Sequence, residues 1–275
     1  MTGVEAVMII ESINIKNNIE EIISRYNLDN DLILDTQDSS ELARFLEKNN
    51  YTEVILKYPL KSEISTLGVH LTKEAMFLLH TDDFPYEINT SYKTTLLVLV
   101  DVIYKITESY FKSLKNIDKK IKKIKSSSKI RVKNSSLLSL FEIQNNLDDY
   151  VMGMKGNLLV IEKILQILPK DEFVNDAKIE NNQALETALS YSKTVSNLKS
   201  TLEIITNNLT NKRMESLTIV NVSALIITSI SGLYGMNVRL PFADKHNVFY
   251  WLLFGGLGLA LGVGIYIKKI FSDKK

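Results

Sequence analysis

The chain contains no cysteine, which excludes disulfides, Cys-ligated zinc, iron–sulfur clusters and a Cys nucleophile. Its three histidines, His70, His80 and His246, are far apart, and no HExxH or HxH spacing occurs. Proline is scarce (4) and so is glycine (11), so little interrupts long elements over 275 residues. An excess of one charge is missing too. Thirty-three Lys and Arg face 32 Asp and Glu, a net charge of +1, so the chain has no general basicity with which to bind nucleic acid. Neither paired carboxylates in a recognisable setting, nor a Ser-His-Asp set, nor a P-loop appears, and the chain is not expected to be an enzyme.

What is present is unevenly placed. Residues 216–238 form 23 residues without a charge, and residues 247–267 form 21 more. At ~1.5 Å per residue each is long enough to cross a ~30 Å hydrocarbon layer, and few buried core helices stay uncharged so long. Two transmembrane helices are expected, the alternative being a buried helical hairpin. Lys212 and Arg213 precede the first stretch, and Lys268, Lys269, Lys274 and Lys275 follow the second. The positive-inside rule then puts both termini in the cytoplasm and the 238–246 loop outside, giving a multi-pass protein of the cell membrane in contact with its lipids. Tyr234 and Phe249-Tyr250-Trp251 fall where interfacial aromatics are favoured. The start of the chain, MTGVEAVMII, lacks a basic lead and reads as a poor signal peptide.

Residues 1–92 read as a mixed α/β domain, making the fold class an α+β cytoplasmic domain followed by a long stalk helix and two transmembrane helices. Val4–Ile13 is expected as a strand, Asn18–Tyr26 as a helix, Leu32–Leu34 as a short strand, Ser39–Lys48 as a helix and Tyr51–Lys57 as a strand. Gly68–Leu71 and Ala75–His80 read as a hairpin turning at Thr72-Lys73-Glu74. A helical hairpin region follows over 93–180. Its first helix carries an apolar face through Leu97, Ile103, Tyr110, Leu114, Ile117, Ile121 and Ile124 and is interrupted at Ser126-Ser127-Ser128. Its second runs from about Leu137 to Leu168, with Pro169 as the stop. A further helix starts near Asp171 and includes a stalk over 181–215. Ala184, Ala188, Tyr191, Val195, Leu198, Leu202, Ile205 and Leu209 make a heptad stripe on it, read as packing against the two preceding helices rather than as a seam between copies. No Pro or Gly lies between Pro169 and Gly232, so one helix is expected to run straight into the membrane. Ten Lys or Arg and one acid, Asp118, lie between Lys112 and Lys133. The bland reading is a solvated face; the functional one is contact with anionic headgroups or repulsion of cations.

The span at 216–237 has few polar groups. Met214, Asn221, Thr228 and Gly235 lie seven apart, with Asn211, Thr218, Leu225 and Gly232 in the adjoining row. An Asn facing lipid would be costly, so this stripe faces either another helix, through hydrogen bonds, or a water-filled path. Two helices cannot enclose such a path, so a pore needs several copies. Neutral oxygens suit a hydrated Mg²⁺, which gives up its water reluctantly.

The span closes in Tyr234-Gly235-Met236-Asn237, followed by a short loop, a second span and a Lys-rich tail. In this arrangement the chain resembles the CorA family of magnesium channels, densely over the last 70 residues and more loosely before them. Residues 67–80 are similar to that family's cytoplasmic hairpin. The resemblance implies a homopentamer with a funnel-shaped cytoplasmic part, passive Mg²⁺ influx driven by membrane potential, and closure by cytoplasmic Mg²⁺. It further implies a selectivity filter of Gly235, Met236 and Asn237, with the Asn237 amide facing hydrated Mg²⁺. On the pore it implies Thr228 as a hydroxyl, Leu225 and Leu217 as constrictions and Asn211 as the cytoplasmic mouth; Met214 and Asn221 join the expected lining through the seven-residue row, Asn221 adding a polar ring that many relatives lack. Asp176, with Asp82 or Asp83 opposite, is the candidate regulatory metal contact. Three features depart from the family pattern: a loop with a single acid, Asp244; a basic rather than acidic helical hairpin; and a short chain. The alternatives are a ZntB-like transporter of another divalent cation (Zn²⁺, Co²⁺ or Ni²⁺) and a non-conducting membrane-anchored structural or regulatory protein.

Overall fold

The computed structural model describes residues 8–16, 19–26, 28–61, 63–82, 84–89, 91–128, 134–236 and 247–273. The chain divides into two compact units, residues 1–200 and 201–275.

The first unit is built on a five-stranded sheet of order β1-β5-β4-β3-β2. Its strands are β1 (Ile9–Asn14), β2 (Arg44–Glu47), β3 (Thr52–Leu60), β4 (Glu63–Leu71) and β5 (Ala75–His80). β1 runs parallel to β5, and the other pairings are antiparallel. The expected hairpin is present. Thr72 makes its turn, taking the Glu74 and Ala75 N–H groups on its hydroxyl at 3.3 and 2.9 Å. The β3–β4 hairpin closes through Lys61, whose φ of 57° is the left-handed geometry of a tight hairpin turn.

β3 and β4 are buried along nearly their whole length, so both faces of the sheet are covered. One cover comprises α1 (Ile19–Tyr26) and α2 (Asn30–Gln37), whose Ile19, Ile22, Ile23, Leu32 and Ile33 meet Ile13, Ile55 and Leu79. α3 (Thr95–Ser128) and α4 (Asn134–Ile167) supply the other, lying against β3, with α4 reaching β2 as well. Of the predicted α3 apolar face, Ile103, Tyr110, Leu114, Ile117, Ile121 and Ile124 are buried and Leu97 is half-buried; Val98 and Val102, outside that spacing, are buried as well. The helix extends through Ser128.

Two expectations in this unit fail. Leu32–Leu34 is not a strand but part of α2. Asp29 caps that helix by accepting the Asp31 N–H at 3.0 Å, and Leu32 and Ile33 are the face it buries. Ser39–Lys48 is not a helix. The chain bends at Ser39 and Ser40 and then forms β2, because Arg44–Glu47 finds a ladder on Thr52–Ile55. The strand expected over Val4–Ile13 is β1; residues 1–7 lie outside the described ones.

The last helix of the first unit is the start of α5, which continues as one element from Glu172 to Tyr234, 63 residues or roughly 94 Å. The stalk expected over 181–215 is therefore part of a helix that begins earlier. Ala184, Ala188 and Val195 of its stripe are buried, as packing on its own chain requires. Asn181 donates to the Met154 carbonyl at 2.9 Å, and Gln144 donates to Ser192 at 2.7 Å. Lys178 pairs with Glu162 at 3.0 Å, and Lys199 sits 3.7 Å from the centre of the Phe141 ring. As numbers rise on α5 their partners on α4 fall, so the two helices are antiparallel.

The second unit holds residues 201–234 of α5 and α6 (Val248–Asp273). Among the described residues, α5 is long and apolar enough to cross a membrane by length and composition. α6 spans 26 residues, roughly 39 Å, and carries no charge up to Ile267.

Candidate functional site

Small residues shape the contact between the two helices of the second unit. Gly256, Ala260 and Gly264 are four apart on α6 and so share one of its faces. A Cβ on Gly256 would lie 3.1 Å from Ile230 Cδ1, and one on Gly264 would lie 3.4 Å from both Ile219 Cγ2 and Ser223 Oγ. Ser223 donates its hydroxyl to the Ala260 carbonyl at 3.2 Å, and Ala260 is 3% exposed. A Gly-xxx-Ala-xxx-Gly row brings the backbones close and gives a serine hydroxyl a partner on the facing helix.

The sequence-predicted stripe lies elsewhere on α5. Taking about 100° per residue, Asn211, Met214, Leu217, Asn221, Leu225 and Thr228 all fall within about 60° of the direction opposite Ser223. All six are exposed, with Met214 and Leu217 at 61% and Leu225 at 65%. Thr218 and Thr228 donate their hydroxyl protons to the carbonyls of Met214 and Ala224, each at 2.9 Å. With the proton turned back into the helix, each oxygen offers its lone pairs outward, as an acceptor for water or a cation.

At the end of α5, Gly235 N–H bonds to Ser231 O at 3.0 Å and Gly232 O at 3.2 Å, and Met236 N–H reaches Leu233 O at 3.4 Å. The last turn thus tightens at Gly235-Met236. Asn237, the third predicted filter residue, lies outside the described residues, as does Asp83.

Of the regulatory candidates, Asp82 and Asp176 lie among the described residues. Asp82 is committed to Lys16 at 3.2 Å and accepts from Ser65 at 3.1 Å; both partners hold its carboxyl below the usual range, Lys16 the more strongly. Asp176 is exposed near Tyr104, whose phenol is pushed up first by Glu180, then by burial, Glu108 and Asp176. Among the described residues no set of three His, Asp or Glu side chains is placed to hold a metal.

Sequence reasoning missed a buried polar lock in the first unit. β2 pairs with β3 only as far as Ile55. At Lys57, two residues on, the side chain of Asn157 takes over the open edge, and Tyr110 also donates to the Lys57 carbonyl at 3.1 Å. Lys57 Nζ turns inward to Ser39 O at 2.9 Å and Thr66 Oγ1 at 2.7 Å, and burial pulls its ammonium below the ordinary lysine range. The available signal was Gly153-Met-Lys-Gly156-Asn157, small and polar residues in mid-helix, where only a close neighbour accounts for them.

The basic run on α3 is an exposed face. Lys112, Lys115, Lys119, Lys120, Lys122, Lys123 and Lys125 are all outside, and Lys122 pairs with Asp118 at 2.5 Å. A cleft of about 540 Å³ between the α3 end, the α4 start and Glu63 includes Lys120 and Lys123, but Glu63 and Glu142 balance them.

A family model described as CorA-like Mg²⁺ transporter protein matches residues 12–269, which sets the class as a divalent-cation transporter. The chain belongs to the CorA-like Mg²⁺ transporter family. It is 21% identical over 254 residues to the cobalt/magnesium transport protein CorA of Methanocaldococcus jannaschii, spanning 84% of this chain and 80% of that protein. Its fold is similar to the complete structure of the CorA magnesium transporter from the same organism, with a TM-score of 0.71 at 17% identity, over 94% of this chain and 88% of the other. The full-length CmaX protein is similar in fold at a TM-score of 0.69 and 15% identity, with the same coverage of 94% and 88%. The ZntB cytoplasmic domain from Vibrio parahaemolyticus is similar over 78% of this chain and 92% of its own length, with a TM-score of 0.52 at 10% identity.

Proposed function

We propose that this chain is a magnesium channel that lets Mg²⁺ enter the cell passively, down the membrane potential. Residues 216–237 and 247–267 are its two spans, with both termini in the cytoplasm. Copies assemble, as a pentamer on the family resemblance, around the α5 face that bears Asn211, Met214, Leu217, Asn221, Leu225 and Thr228, while α6 meets lipid. Gly235, Met236 and Asn237 form the outer filter, where neutral amide and carbonyl oxygens receive the ion with its water shell intact.

The observation that carries this reading is the division of labour on α5. Its small-polar partner Ser223 is spent on α6, while the stripe of amides, hydroxyls and large apolar residues lies on the opposite face, uncovered. An apolar helix with such a face needs either water or its own copies against it. At ~2.3 kcal/mol per charge per 100 mV, a divalent ion needs no other energy source to enter.

Regulation by cytoplasmic Mg²⁺ is part of the proposal. Among the described residues of one chain no such metal site is present, and Asp176 would contribute to one completed by a neighbouring copy. A wider cation range is the second reading, favoured by the Methanocaldococcus relative, a cobalt/magnesium transport protein by name.

The test is flux into liposomes holding the purified chain or Asn237→Ala, with Mg²⁺, Co²⁺, Ni²⁺ and Zn²⁺ in turn. The proposal expects Mg²⁺ entry in the parent and loss of uptake or of Mg²⁺ preference in the variant. Equal behaviour of the two removes Asn237 from the filter.

A further inference from the structure

The reading above treats the α5 stripe as one lining; the following rests on that reading and assigns one member of the stripe a separate task. We infer that Asn221 forms an inner binding ring for a hydrated divalent cation, distinct from the outer ring at Asn237.

Asn221 stands fourteen residues before Gly235, about 21 Å inward along the helix, and five residues into the uncharged stretch that begins at Ser216. Leu217 and Leu225, one turn to either side on the same face, are large, apolar and exposed. The Asn221 amide is therefore set between two apolar collars. From Leu225 inward it is the first group on that face able to hydrogen-bond.

A divalent cation that keeps its inner water shell presents water hydrogens outward and needs acceptors around it. The amide oxygen of Asn221 is such an acceptor, and the neighbouring Thr218 oxygen adds another, its proton already given to Met214. Neutral acceptors hold the ion weakly enough to release it.

Bonding to α6 does not account for this residue. That role belongs to Ser223, about 160° around the helix, which meets Ala260 on the small-residue face of α6. Facing lipid would leave an amide in hydrocarbon.

The absence of cysteine gives a clean test, because a single introduced Cys is the only thiol in the full chain. Asn221→Cys and Ser223→Cys are reconstituted in vesicles and treated with a water-soluble, charged thiol reagent, with and without millimolar Mg²⁺. Leu225→Cys is a second probe of the same face should Asn221→Cys fail to assemble. Asn221→Cys should react at least roughly ten-fold faster than Ser223→Cys, and Mg²⁺ should slow Leu225→Cys, which keeps the Asn221 amides, several-fold as the ion occupies the ring. In flux, Asn221→Leu, which joins the two apolar collars, should lower Mg²⁺ entry by about ten-fold or more, while Asn221→Gln keeps most of it.

The inference is overturned if Asn221→Cys reacts no faster than Ser223→Cys, if Mg²⁺ gives Leu225→Cys no protection, or if Asn221→Leu conducts like the parent. Vesicles of the parent chain impermeable to every divalent cation would instead sink the channel reading. The thiol kinetics and their Mg²⁺ dependence would still decide whether Asn221 faces water and binds the ion.

Discussion

Asn157 holds Lys57 by both of its peptide groups: its Oδ1 accepts the Lys57 N–H at 2.9 Å and its Nδ2 donates to the Lys57 carbonyl at 2.7 Å, across 100 residues of sequence. The amide acts as one more residue of strand, placed where β2 stops at Ile55. Covering a strand edge with a side chain satisfies groups that would otherwise be buried without partners and also bars another chain from pairing there.

Replacing Asn157 by Ala should therefore cost about 2 kcal/mol, the order expected when a buried backbone N–H is left unmade, with Tyr110 still serving the carbonyl. Amide hydrogen exchange at Lys57 should accelerate in the variant, while the α5–α6 unit exchanges as before. Unchanged protection at Lys57 would mean that the edge is covered in another way.

Close approach of helix to sheet rests on two glycines. A Cβ on Gly156 would lie 2.6 Å from Ala43 Cβ, and one on Gly68 would strike Thr36, whose hydroxyl is already committed to Leu32 O at 2.7 Å. Gly156→Val and Gly68→Val should each destabilise the first unit by roughly 2 kcal/mol or more through overpacking. Thermal unfolding followed by circular dichroism checks this, and a melting temperature equal to the parent's would contradict it.

His70 is buried, stacked on Tyr51 at 4.6 Å between centroids, and directly opposite Glu53 across the β3–β4 ladder. Burial lowers its pKa first, and the Lys48 ammonium lowers it further against a smaller opposing effect of Asp29. The unfolded chain, with a His pKa of about 6.5, then binds more protons than the folded one below that pH. The His70 contribution is thus complete above about pH 6.5 and is lost as pH falls through the depressed folded value. The carboxylates held low by partners, Asp29, Asp38 and Asp82, lose theirs only at more acidic pH, below about 3.9. Denaturation midpoints between pH 5 and 6.5 should slope downward in the parent and flatten in His70→Gln. The same slope in both would assign it to other groups.

On α6, Gly264→Leu should separate the helices where Ile219 and Ser223 now touch the glycine, and break the Ser223–Ala260 bond. Ser223→Ala should be mild, about 0.6 kcal/mol. Cross-linking yield between cysteines placed at 219 and 264 reports the spacing; equal yields with and without the bulky residue at a neighbouring position such as Ala260→Leu would show that the small-residue row is not what sets the contact.

Much of this was legible from residue pattern alone. Thr72-Lys73-Glu74 announced the β4–β5 hairpin because a hydroxyl three residues from a strand start can close a turn. The α3 spacing announced the buried face from Ile103 to Ile124. The α5 stripe was legible as a stripe, but which of its sides met another helix was not, since Asn and Ser satisfy either role; the contacts of Ser223 with Ala260 resolve that. Leu32–Leu34 misled because a short apolar run fits a buried helix as well as a strand, and the signal that decides, Asp29 as a cap, lies outside the run. Ser39–Lys48 misled because Glu, Leu, Ala, Arg and Lys favour helix locally, while pairing of Arg44–Glu47 with β3 overrides that preference. For the Asn157 lock the sequence offered only small and polar residues in mid-helix at 153–157; its partner Lys57 was not legible, because a contact across 100 residues leaves no local period.

The central claim is that the face of α5 turned away from α6 conducts a divalent cation. Mg²⁺ entry into dye-loaded vesicles containing the purified chain, measured as an inside-negative potential is imposed, tests it most directly. The account predicts entry that starts at once, needs no nucleotide and steepens with the potential. Vesicles that stay dark to Mg²⁺, Co²⁺, Ni²⁺ and Zn²⁺ at every potential, with the chain shown to be inserted and assembled, would contradict it.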